Sequence, residues 1–101
     1  MSKRVVVLGL MGQYPLGGMA WQVLHHVIGV KRLGYDVAYI ENSGAPPYSP
    51  RLQSVVERPS ENLRFLRETF RRLDLSDRWA YFNSGKKRWH GMSAATASDW
   101  L

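Results

Sequence analysis

The chain predicts a doubly wound α/β domain on a parallel sheet, and three observations near its start carry that prediction. Residues 4–10, Arg-Val-Val-Val-Leu-Gly-Leu, are a continuous β-branched apolar run, the pattern of a strand buried on both faces. A turn follows over residues 12–18, where Pro15 and the Gly17-Gly18 pair exclude a helix interior. An amphipathic run from Met19 then leads through Arg32-Leu33-Gly34 into a second apolar run, Val37 to Ile40, ending at Glu41. Strand, turn, helix and strand in this order make a βαβ unit. In such units phosphate-bearing ligands sit at the carboxyl ends of the strands.

The first helix is predicted to turn Ala20, Val23, Leu24, Val27 and Ile28 to one face, with Lys31 adding only its aliphatic stem. Lys31 and Arg32 put positive charge in the last turn, where the helix dipole favours it, and Gly34 supplies a left-handed stop. Residues 42–59 read as a long irregular connection: Asn42-Ser43-Gly44 is turn chemistry, Pro46, Pro47 and Pro50 keep the chain extended, and Pro59 closes it. A loop of that length in a compact domain is usually functional or covers something. Ser60 is placed as the N-cap of a helix through about Leu73, with Leu63, Leu66, Phe70 and Leu73 inward. Trp79 to Phe82 is a third strand, Asn83 to Lys86 a turn, and Lys87 to His90 a short hairpin arm. Ser93 caps a helix beginning at Ala94, with Asp99 near its first turns.

Length and composition bound the rest. The 101 residues fit one small domain or a piece of a larger one, and 45% hydrophobic content is ordinary for a globular core. So few helices cannot cover both faces of a parallel sheet, which predicts a fragment or a chain that needs a partner. No cysteine is present, so a disulfide framework and a thiolate metal site are excluded, as fits a reducing, cytoplasmic setting. The apolar run at the start is too short for a signal peptide or a membrane span. The net charge of +6 suggests an anionic partner, but its distribution argues against nucleic acid. Arg64, Glu68, Arg71 and Arg72 interleave their signs along one helix, the pattern of a solvated face.

The run Tyr14-Pro15-Leu16-Gly17-Gly18, a helix, and then Leu33-Gly34-Tyr35-Asp36-Val37 resembles the start of GT-B-fold glycosyltransferases, most closely their family-4-like group. Tyr35-Asp36 stands where those chains usually carry His-Glu, a departure at a surface turn. The match covers roughly residues 3–41. Looser similarity to a less characterised glycosyltransferase-like group extends through Glu41-Asn42-Ser43-Gly44, Tyr48, Trp79-Ala80-Tyr81 and Trp89-His90-Gly91-Met92-Ser93.

The resemblance implies the N-terminal, Rossmann-like half of a two-domain enzyme. That half mostly holds the acceptor, a small molecule or glycan, and leans its glycine-rich turn on the diphosphate of a nucleotide-sugar donor. No separate cofactor is implied. The C-terminal donor-binding domain is not in this sequence, so the chain alone is expected not to turn over, and peripheral membrane contact fits the same picture. The implied binding residues are Gly12, Gln13, Tyr14, Gly17, Gly18, Glu41 and Ser43. A diphosphate needs several backbone N–H groups, and glycines leave them accessible; simple chain reversal is the competing role for the same glycines.

Gln13 can donate and accept to a sugar but cannot act as a base, so this turn favours a retaining outcome over an inverting one. Glu41 at the end of the second strand reads three ways: a ribose acceptor, a contact to acceptor hydroxyls, or a solvated strand-end acid. His25 and His26 lie about 100° apart on the helix and cannot share a metal, and no ligand set stands at metal-binding spacing. Most of Trp21, Trp79, Trp89 and Trp100 read as packing, while Tyr14 and Tyr48 border the expected cleft. Two other functions stay open. A dinucleotide oxidoreductase wants G-x-G-x-x-G, which Gly9, Gly12, Gly17 and Gly18 do not space correctly. A non-enzymatic basic module for an anionic partner is the other.

Overall fold

The computed structural model describes residues 3–12, 17–42, 44, 48–49, 51–52, 54–56 and 59–101. In chain order the elements are β1 (Arg4–Leu8), α1 (Gly17–Arg32), β2 (Asp36–Glu41), β3 (Tyr48–Ser49), β4 (Ser54–Val55), α2 (Ser60–Arg72), β5 (Trp79–Asn83), β6 (Arg88–Gly91) and α3 (Ala94–Trp100). The main sheet has the order β1-β2-β5-β6. β1, β2 and β5 run parallel, with Val5 beside Val37 and Ile40 beside Ala80. β6 folds back antiparallel on β5, with Tyr81 opposite His90. The fold is therefore a small mixed α/β domain with a largely parallel sheet and flanking helices, a generic Rossmann-like arrangement.

Alternation along the strands assigns the two faces. Val37, Tyr39, Trp79 and Tyr81 point to one face, where Ala20 and Val27 of α1 and Leu66 and Phe70 of α2 cover them. The Phe70 ring lies between Tyr39 and Trp79, with centroids 5.5 and 6.5 Å away. Ala38, Ile40 and Ala80 point to the other face and meet Met92 and, from α3, Ala97 and Trp100, so α3 is the helix among the described residues that covers that side. Both long helices stop the same way. Tyr35 and Leu75 reach back to the carbonyls of Val30 and Phe70, around residues of positive φ at Gly34 and Asp74. The Lys31 ammonium donates to the Leu73 carbonyl at 2.6 Å, joining the two helix ends.

Several expectations are corrected. β1 is only half-buried, because it lies at the edge of the sheet rather than inside it. The connection after β2 is not wholly irregular: Tyr48 pairs with Val55 and Ser49 with Ser54 in a small antiparallel ribbon. Ser60 is the first helical residue and Pro59 the cap, without a side-chain bond; the Leu63 amide bonds to the Pro59 carbonyl instead. α1 begins at Gly17, two residues early, and Val30 joins its packed face where Ile28 was expected. Ser93 caps α3 as expected, accepting from the Thr96 amide at 3.2 Å. Asp99 falls near the end of that seven-residue helix and pairs with Arg4 at 3.3 Å.

Replacing Phe70 with Ala removes the ring shared by Tyr39 and Trp79 and leaves a cavity. We expect a loss of about 3–5 kcal/mol, a large part of a small domain's stability, read by urea unfolding.

Candidate functional site

The site to inspect lies at the carboxyl ends of β1 and β2, where the chain turns from Leu8 toward α1. Met11 and Gly12 are both buried there. Tyr39 and Glu41, two residues apart on β2, share one face and reach under the turn. The Met11 amide donates to the Tyr39 hydroxyl at 2.9 Å, and the Gly12 amide to Glu41 Oε1 at 2.7 Å. The Tyr39 hydroxyl in turn donates to the same Glu41 oxygen at 2.5 Å. From the far side of the turn, Asn62 of α2 donates to the carbonyls of Gly12 at 2.6 Å and Tyr48 at 2.9 Å. Two strands, a helix and the connecting ribbon thus meet on a single glycine.

Gly12 is a close-approach position. A Cβ there would stand 2.7 Å from Leu66 Cδ1 and 3.0 Å from both Glu41 Oε1 and Tyr81 Cδ2. The physical need for glycine here is packing against the protein's own side chains. Glu41 is 1% exposed and answers none of its three readings as a surface group: its carboxylate is an interior acceptor for the turn. Burial first, and then the charge and hydrogen bond of Glu41, hold the Tyr39 phenol far above its ordinary pKa of 10.0. Burial and the Glu41 charge push Tyr81 up to about 12. Both phenols are therefore neutral at physiological pH, and that of Tyr39 donates to Glu41.

Of the other candidate residues, Gly17 and Gly18 form the first turn of α1, where backbone N–H groups have no acceptor within the helix. Gln13, Tyr14 and Ser43 lie outside the described residues. Beside the turn, on the α3 side of the sheet, Leu8, Leu10, Ile40, Asn42, Trp89 and Leu101 line an open groove of about 500 Å³. His25 and His26 are exposed on α1: His25 meets Trp21 edge-on at 5.4 Å, and His26 Nδ1 lies 2.8 Å from the Gln22 carbonyl. Trp79 and Trp100 are packing residues and Trp21 is exposed. Among the described residues, no group of three His, Asp or Glu side chains gathers to hold a metal. No helix among them is long and apolar enough to cross a membrane.

A second feature lies at the opposite edge of the sheet. Arg88 and His90 alternate with Trp89 on β6 and so share the face on which α2 packs. Burial, Arg88 and Arg67 of α2 hold His90 below its ordinary 6.5. The residues that sequence reasoning missed are Tyr39 and Asn62. The signals were there: Tyr39 and Glu41 at strand spacing, and a polar Asn62 on the apolar stripe of Leu66 and Phe70.

Tyr39→Phe strips the Met11 amide of its acceptor and Glu41 of a donor inside the core, so we expect a loss of about 1–3 kcal/mol in denaturant melts. For His90 the native state binds the proton less readily than the unfolded chain, so stability falls as pH drops below 6.5. NMR titration should place its midpoint under that value, and Arg67→Gln should move it upward. No protein-family model, curated protein or solved structure matches the chain.

Proposed function

We propose that this chain is the acceptor-side, Rossmann-like part of a glycosyltransferase that uses a nucleotide-sugar donor. The observation that carries the reading is a parallel βαβ unit whose helix α1 opens on two glycines at the carboxyl end of β1. Together with the Tyr-Pro-Leu-Gly-Gly resemblance, this favours a diphosphate at that helix start. The geometry also refines which groups would hold it. The amides of Met11 and Gly12 are engaged by Tyr39 and Glu41, so the anion would fall to the first-turn amides of Gly17 and Gly18, which have no acceptor within the helix. Asn42, at the groove beside the turn, is placed to bond a sugar or ribose hydroxyl.

The dinucleotide oxidoreductase reading loses ground on the same observation. Its ribose needs an accessible acid at the end of β2, and Glu41 is interior. The basic-module reading keeps one specific support: Arg64, Arg67, Arg72, Lys86, Lys87 and Arg88 are exposed on α2 and the β5–β6 hairpin, while Glu61 and Glu68 are already paired.

Titrating the isotopically labelled chain with uridine and guanosine diphosphates separates these readings. The transferase reading expects weak, millimolar binding, with amide shifts concentrated over Gly9–Gly12 and Gly17–Ala20. Shifts confined to Arg67, Arg88 and His90 would support the basic module instead. No response at the turn would overturn the transferase reading.

A further inference from the structure

The exposed apolar side chains of the molecule are not spread evenly. Of the seven large hydrophobic residues exposed among the described ones, Leu8, Leu10 and Leu101 gather at the groove of about 500 Å³ beside the turn. A single exposed leucine is ordinary, but a cluster around a cavity of ligand size marks a binding groove. The groove lies at the carboxyl ends of β1 and β2, where open α/β sheets hold their ligands. Ile40, buried with Ala80 and Met92, forms its floor. Trp89 reaches it from β6 and is braced by Phe82, with ring centroids 5.1 Å apart.

Charge is kept away from this place. The chain carries 14 Lys and Arg and 8 Asp and Glu, yet none of the described ones lines the groove. Two local features produce that neutrality. Alternation along β6 turns Arg88 and His90 to the face opposite Trp89. Arg4 stands at the far end of β1, about 13 Å from Leu8 at the rise of a strand, and is paired with Asp99. Asn42, exposed just past the end of β2, brings one amide that both donates and accepts.

We propose that this groove is the acceptor subsite and that its occupant is a neutral, hydroxyl-bearing compound with an apolar body. The hydrocarbon lies against Leu8, Ile40 and Trp89, and the hydroxyl meets Asn42. Calling the occupant an acceptor rests on the transferase reading; the selectivity follows from the lining alone. Hydrocarbon entering the groove releases water from the leucine rim and the Trp89 ring, which drives binding. An ionised group would lose its hydration and find no counter-charge, so the same lining rejects anions. The net charge of +6 taken by itself selects the opposite.

The test is a methyl-resolved NMR titration of the whole chain with phenyl β-D-glucoside, alongside methyl β-D-glucoside and 4-carboxyphenyl β-D-glucoside. The expected result is saturable, millimolar binding of the phenyl glucoside, with shifts at the Leu8, Leu10, Ile40 and Leu101 methyls and the Trp89 indole. The methyl glucoside lacks the apolar body and the carboxyphenyl glucoside adds a charge, so each should bind roughly tenfold more weakly or worse. Leu8→Asp should weaken the phenyl glucoside about fivefold or more, and Asn42→Ala roughly threefold to tenfold. Both positions are exposed, so both variants keep the wild-type circular dichroism. A silent groove overturns the inference, and so does tighter binding of the carboxyphenyl glucoside. Groove methyls that move with chain concentration and ignore the glucoside also overturn it, because a second chain then sits there. Titration with uridine diphosphate separates the inference from the reading beneath it. Diphosphate shifts at Gly17–Ala20 with a silent groove sink the inference alone. A responsive groove without those shifts supports the binding site and overturns its role as an acceptor subsite.

Discussion

The buried carboxylate of Glu41 is the constraint on which the rest of the molecule depends. It accepts from the Gly12 amide and from the Tyr39 hydroxyl, which itself accepts from Met11. A carboxylate is placed in a core only when donors surround it, because an unsatisfied charge there is very costly. The turn after β1 supplies such donors, and in exchange its main chain is held in place. Asn62 closes the arrangement from the α2 side. The first βαβ unit and the second are thereby joined through polar groups as well as through the apolar contacts of Leu66 and Phe70.

Around that junction the two faces of the sheet are unequally covered. Two long helices seal one side, and the aromatic stack of Tyr39, Phe70 and Trp79 runs through it. Among the described residues the other side has one helix, α3, anchored by the Trp100 ring under the Arg4 guanidinium at 3.9 Å. The exposed ion pairs such as Arg71 with Glu68 contribute little beside this. The groove at Leu8 and the outer edge of β1 both lie on the lightly covered side or at its border.

The order of β1, α1, β2, α2, β5 and β6 was legible in the sequence, because hydrophobic period and turn chemistry agree at each step. Gly34 and the Asn83-Ser84-Gly85 turn fixed their boundaries for the same reason. What local pattern does not contain is neighbour order in the sheet. A run such as Val5-Val6-Val7 reads alike at an edge or in the middle, so the half-exposure of β1 was invisible. The candidate site suffered from the same blindness. Gly12 and Glu41 were both read as ligand contacts and are bonded to each other, but a glycine beside a phosphate and a glycine beside a core carboxylate look identical in sequence. The difference lies in Tyr39 and Asn62, contributed from 28 and 50 residues away.

That separation bears on how the molecule comes into being. Gly12 is bonded to Glu41 across 29 positions and to Asn62 across 50, so these two partners are distant in sequence. Loop-closure entropy must be overcome twice before the bend is defined, which sets it among the late events of folding. During synthesis, an emerging chain that has not yet delivered α2 lacks the Asn62 bond to the Gly12 carbonyl. The shape of the corner around Gly12 depends on contacts made only when β2 and α2 are both in place.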